Sequence, residues 1–109
     1  MQDLIIELQE LRKTLNLAIE KLKERGYKKA QAEQNYRIAL AKEILLQRDA
    51  GMPVTIISDI CRGKEEIAKL KLERDIAETL YETALQKIYA TKIELQIVEN
   101  QLNAERKGE

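Results

Sequence analysis

The chain contains no histidine, tryptophan or phenylalanine, one cysteine, one proline and four glycines. Each shortage excludes something. Without histidine there is no ordinary general base, no His-dependent triad and no ligand for most transition-metal sites. A di-metal carboxylate bundle, which needs Glu-x-x-His elements on its helices, is excluded for the same reason. The lone Cys61 has no partner for an intramolecular disulfide. With no histidine to activate it, it reads as a small buried hydrophobe rather than a nucleophile. The glycines are scattered at Gly26, Gly51, Gly63 and Gly108, so no glycine-rich loop exists to cradle a phosphate.

Charge of one sign is also missing. Lys plus Arg and Asp plus Glu number 19 each, for a formal net charge of zero. A dedicated duplex-DNA binder carries a basic excess that replaces counterions, and this chain has none globally. Glu78 and Glu82 share a helix face four residues apart, but so do the carboxylates of any solvated acidic face. These absences predict a protein that is not an enzyme, with no cofactor and no metal. Met1–Leu22 mixes charged and apolar positions throughout, unlike a signal peptide or a membrane span. The expectation is a cytoplasmic protein without a membrane partner.

What is present is helical periodicity. Charged residues make up 35% of the chain and apolar ones 44%, a balance that with 3.5-type spacing belongs to coiled coils and long helical hairpins. From Lys64 to Arg106 there is neither Pro nor Gly, and one apolar seam runs through Ile67, Leu70, Ala77, Tyr81, Ala84, Ile88, Leu95, Val98 and Leu102. Steps of three and four, and their sums, return each residue to one side of a helix. Only Arg74 and Thr91 interrupt the register. Near the start, Leu4, Leu8, Leu11, Leu15, Ala18 and Leu22 repeat the pattern, with Asp3, Glu7 and Glu10 near the positive end of the helix dipole. Gly26 costs about 1 kcal/mol against Ala within a helix, yet good helix formers resume at once, so the helix is expected to continue through it. Beyond Ala30 the register loosens, with Tyr36, Ala39, Leu40, Ile44 and Leu45 expected inside.

Asp49-Ala50-Gly51-Met52-Pro53 is the clearest punctuation. Gly51 suits a left-handed helix end, and Pro53 starts a helix but cannot continue one. A short turn favours an antiparallel hairpin, with Leu4 near Val98, Ala18 near Ala84 and Gly26 near Ala77. Val54–Ile57 is β-branched enough for a strand, but Val54, Ile57, Ile60 and Cys61 also make a helical stripe that could cover the closed end. The prediction is therefore an all-α chain forming one domain over residues 1–109, a long coiled-coil-like antiparallel hairpin. Helix spans 3–49 and 64–106, a turn at 50–53 and a short middle helix at 54–61 complete it, and assembly into a helical bundle is expected.

Both long segments carry apolar residues beyond their seams. Leu72, Ile76, Leu80, Leu85, Ile93 and Ile97 lie beside the second seam, Ile5, Ile6, Leu17 and Ile19 beside the first, and Ile56 and Ile60 lie in the middle segment. One partner helix covers a narrow strip, and contiguous apolar surface beyond it marks an interface. This predicts self-association, most simply a dimer, or a complex with another protein. A second reading uses the basic residues Lys21, Arg25, Lys28, Lys29, Arg62, Lys69 and Lys71 as a patch for nucleic acid, although interleaved acids such as Glu24 and Glu65 make a salt-bridged surface the more ordinary reading. A structural scaffold is a third.

Met52-Pro53-Val54, Ile60-Cys61-Arg62-Gly63, Arg74-Asp75-x-Ala77-x-x-x-Tyr81 and Lys92-Ile93-Glu94-Leu95-x-Ile97-x-Glu99 resemble small helical proteins of Gram-positive bacteriophages and prophages. The resemblance runs from Gly51 to Glu105. It implies a phage accessory protein that works by binding a host, defence-system or virion component, for instance inhibiting a defence nuclease in the host cytoplasm. It brings no catalytic residues with it.

The seam generates a direct test. Replacing Ile88 and Leu95 by Asp puts two unpaired carboxylates on it, at a cost of several kcal/mol. Circular dichroism should then show loss of helix, and unchanged melting would mean that the seam is misplaced.

Overall fold

The computed structural model describes residues 1–108, all α-helix apart from the connections. Three helices follow in order: α1 (Gln2–Asp49), α2 (Val54–Arg62) and α3 (Glu65–Gly108). This is the expected helical hairpin with a short middle helix, and no strand occurs among the described residues. Val54–Ile57 is helical, its backbone groups satisfied within α2, and no strand stands among the described residues to pair with it. α1 continues unbroken through Gly26.

The helix ends follow from local chemistry. Asp3 stands in the first turn of α1 and Glu65 and Glu66 in that of α3, while Arg48, Arg62, Arg106 and Lys107 occupy the last turns of the three helices. Each charge opposes the helix dipole at its end. α1 stops in a Schellman motif: Gly51 adopts φ 91°, its N–H donates to the Arg48 carbonyl at 3.0 Å, and the Met52 N–H donates to the Gln47 carbonyl at 3.0 Å. Pro53, at φ −57°, then leads into α2. α2 closes as the Gly63 N–H donates to the Asp59 and Ile60 carbonyls, both at 3.2 Å.

The chain forms two compact units, Met1–Arg25 with Tyr81–Glu109, and Gly26–Leu80. In the first, the opening half of α1 runs antiparallel to the closing part of α3. The Met1 amine lies 3.2 Å from a Glu105 carboxylate oxygen, and Ala18 and Ala84 line one groove, as the reversal at Gly51 predicts. Ala18, Ile88, Val98 and Leu102 are buried here, while Leu4, Leu8, Leu11, Leu15, Leu22, Tyr81, Ala84 and Leu95 are half-buried.

In the second unit, the remainder of α1 packs with α2 and the start of α3. Tyr36, Ile57, Cys61 and Ile67 are buried, Cys61 completely. Ala39, Leu40, Ile44 and Leu70 are half-buried. Leu45 departs from expectation at 56% exposed: Tyr36, Ala39 and Glu43 hold the inward three-and-four register, which turns position 45 to the opposite side. Of the expected α2 stripe, Ile57 and Cys61 face inward whereas Val54 and Ile60 are exposed.

The two irregularities of the α3 seam lie within it. Thr91 is 1% exposed and its hydroxyl donates to the Lys87 carbonyl at 2.8 Å. Bonding back into its own helix satisfies the buried hydroxyl without a partner helix. Arg74 is only half-buried, with its guanidinium 4.5 Å from the centroid of the Tyr36 ring and Nε 3.5 Å from Glu33 Oε2. A planar cation stacked on a ring keeps its charge while its stem fills a hydrophobic position.

Gly51 supplies the test of the turn. A methyl group there meets nothing within 4 Å, so Gly51→Ala changes only the backbone energy of the left-handed conformation, about 1–2 kcal/mol. Urea unfolding should show that loss for Gly51→Ala and a smaller one for Gly51→Asn.

Candidate functional site

The described residues contain no cluster of three or more His, Cys, Asp or Glu that could hold a metal ion, and no helix long and apolar enough to cross a membrane. Glu78 and Glu82 are both exposed on α3. Cys61 is buried and unbridged.

The basic candidates divide by their burial and their partners. Lys21 Nζ lies 3.6 Å from Glu24 Oε2, and the neighbouring Lys23 lies 3.1 Å from Glu20 Oε1. Arg25 and Lys29 are half-buried on the inward register of α1, where a long stem can pack while the charged head reaches water. The three-and-four spacing Leu22, Arg25, Lys29, Ala32, Tyr36 puts them on the seam. Lys28, Arg62, Lys69 and Lys71 are exposed. Arg62, Lys69 and Lys71 alternate along the chain with Glu65, Glu66 and Glu73, which dilutes any local positive field.

Of the apolar candidates, Leu72, Ile76 and Leu80 on α3 and Ile56 and Ile60 on α2 are exposed in the second unit. Ile93 and Ile97, at 62% and 52% exposed, face out from α3 in the first. Leu85 is half-buried, so it belongs to the margin of the seam rather than to an outer face. The first unit also carries a groove of ≈ 440 Å³ lined by Thr14, Leu17, Ala18, Lys21, Ala84 and Lys87. Small side chains at Ala18 and Ala84 leave it open beside Leu17, which is 72% exposed.

Sequence reading missed part of this surface. Tyr27, Gln31, Gln34, Ile38, Ala41 and Leu45 are all exposed along the back of α1 in the second unit. Their spacing is again four and three, and none is charged. The signal is a second uncharged register opposite the first, masked in hydrophobicity because Gln31 and Gln34 interrupt its apolar members.

A half-buried ion pair joins α1 to the residue just before α3. Lys64, just before α3, donates to the Glu43 carboxylate of α1, and Gln47 Nε2 donates to the same oxygen at 2.9 Å. The bond from Lys64, then that from Gln47, holds the Glu43 carboxyl below its ordinary value of 4.5. The same bond raises Lys64 above 10.5. Comparisons of the chain with protein-family models, with curated proteins and with solved structures give no match. The fold and its surfaces define a helical hairpin with apolar residues on outward faces of both units.

The Glu43–Lys64 pair predicts a pH dependence. A depressed carboxyl contributes stability above its unfolded value, and loses it as pH falls below 4.5 and through the lowered folded value. Raised Lys64 loses its contribution as pH climbs past 10.5 and through the raised value. Glu43→Gln should lower the melting temperature at neutral pH and reduce the slope of stability against pH on the acid side. An unchanged acid slope would assign acid sensitivity to other groups.

Proposed function

We propose that the chain is a non-enzymatic protein-interaction module that self-associates, with a dimer as the simplest state, and engages a further protein. The observation that supports this most is the exposed apolar surface of each unit. Ile93 and Ile97 in one, and Leu72, Ile76, Ile56 and Ile60 in the other, stand in water when the chain is alone. Burying apolar area returns roughly 25 cal/mol per Å², and such surface is retained where a partner covers it.

The resemblance to phage helical proteins extends the reading to an accessory protein whose partner is a host, defence-system or virion component, acting in the host cytoplasm. A nucleic-acid role has less to stand on, because Lys21, Lys64 and Arg74 already meet carboxylates and Arg25 and Lys29 are half-buried on the seam.

Light scattering over a dilution series, repeated at low and high salt, tests the reading. A mass that is a multiple of 12.6 kDa and holds as salt rises is expected, since apolar association is not screened. Reversing charge at the exposed Lys28 and Lys69 should leave that mass unchanged. A monomer at every concentration overturns self-association, and steep salt-sensitive binding of DNA or RNA would favour the nucleic-acid alternative.

A further inference from the structure

Within the first unit, α3 carries a second register on the side away from its seam. Thr83, Gln86, Ala90, Ile93, Ile97 and Asn100 follow one another at steps of three, four, three, four and three. All six are exposed, and none is charged although 35% of the chain is. The charges of this stretch fall beside the register, at Glu82, Lys87, Lys92, Glu94 and Glu99. An uncharged strip with charges beside it is the pattern of a coiled-coil seam. It is distinct from the intramolecular seam, whose members Tyr81, Ala84, Ile88, Thr91, Leu95 and Val98 are buried or half-buried.

We propose that a second copy of this chain packs on this face, with the two α3 helices parallel and in register. The proposal rests on the self-association reading above and names its face, its direction and its register. Two observations favour a copy of the same chain. The first is charge complementarity. In a parallel pair, the residue before the first inner position of each heptad, here Glu82, Tyr89 and Gln96, meets the residue five further along the partner. That sets Glu82 against Lys87 of the second copy, twice by symmetry, Tyr89 against Glu94, and Gln96 against Gln101. No like charges meet.

The second is the matching of polar with polar. In parallel register Gln86 faces Gln86 and Asn100 faces Asn100, so each amide meets a group able both to donate and to accept. Ile93 and Ile97 then face their own kind. The antiparallel arrangement that sets Lys87 beside Glu94 places Gln86 against Ile97, burying an amide against hydrocarbon, which is costly. Asn100 also accepts a bond from Gln96 Nε2 at 3.0 Å within its helix. The outer register of α1 in the second unit lacks this match. Its flanks at Lys28, Arg37 and Lys42 would set Arg37 against Lys42 of a second copy.

Cross-linking of the full chain tests direction and face together. In a Cys61→Ala background, Ile93→Cys should oxidise to a covalent dimer, because equivalent inner positions of parallel helices approach within reach of a disulfide. Glu99→Cys, off the register, should remain largely uncross-linked. Linking of Ala90→Cys to Ile93→Cys in a mixture, without linking of Ile93→Cys to itself, would mean antiparallel pairing and overturn the proposal. Lys87→Glu should weaken the dimer on the order of tenfold, since two attractive flanks become repulsive, and adding Glu82→Lys should restore it. Rescue by Glu94→Lys instead overturns parallel register.

Light scattering separates this proposal from the reading beneath it. Ile93→Asp with Ile97→Asp should give a monomer of unchanged helicity, because both positions are exposed within a single chain. A wild-type chain that stays monomeric overturns self-association itself. A double variant that keeps its helicity and remains dimeric overturns only this face.

Discussion

Everything in this chain depends on the geometric limit of helix pairing. A long α-helix that meets one partner covers a strip about two residues wide per heptad, whatever else its sequence carries. In both units the inward positions of α1 and α3 follow three-and-four steps, and the residues between them remain in water. The strip is narrow, so its members are held to a strict register. The remaining faces are free to carry charge, as most of α1 does in the first unit, or apolar groups, as α3 does there at Ile93 and Ile97.

The strip also tolerates polar residues where each has a local answer. Thr91 returns its hydroxyl to the Lys87 carbonyl, and Arg74 combines a ring, two carboxylates and a long aliphatic stem at one inward position. Glu43 occupies an inward position of α1 and meets Lys64 across the reversal. These contacts contribute more to specifying alignment than to total stability, because an ion pair gains little over a well-packed aliphatic pair. A slip of one heptad leaves the apolar seam in phase but separates Glu33 from Arg74 and Glu43 from Lys64.

The functional reading grows from the same limit. Recognition requires only a face whose pattern another helix can match. The second uncharged register on α3, flanked by Glu82 and Lys87, is the face on which we propose that a second copy packs. The short helix α2 adds a separate apolar face at Ile56 and Ile60 without disturbing the buried side at Ile57 and Cys61.

The sequence by itself determined the helices, because spacing, the absence of Pro and Gly from the seams, and Gly51-Met52-Pro53 are local signals. Strict periodicity from Ile67 to Leu102 named its own buried face, and every residue assigned to that seam is buried or half-buried. The looser stretch from Ala30 to Leu46 did not, since its inward register includes Lys29 and Glu43 and leaves Leu45 outside. Hydrophobicity alone mis-assigns such positions. Only the tertiary structure decided that Arg25 and Lys29 stand on the seam, that Arg74 lies on Tyr36, and that Val54–Arg62 is helix with Ile57 and Cys61 inside. Those outcomes depend on which side chain stands across from each position, and that relation exists only once the chain has reversed.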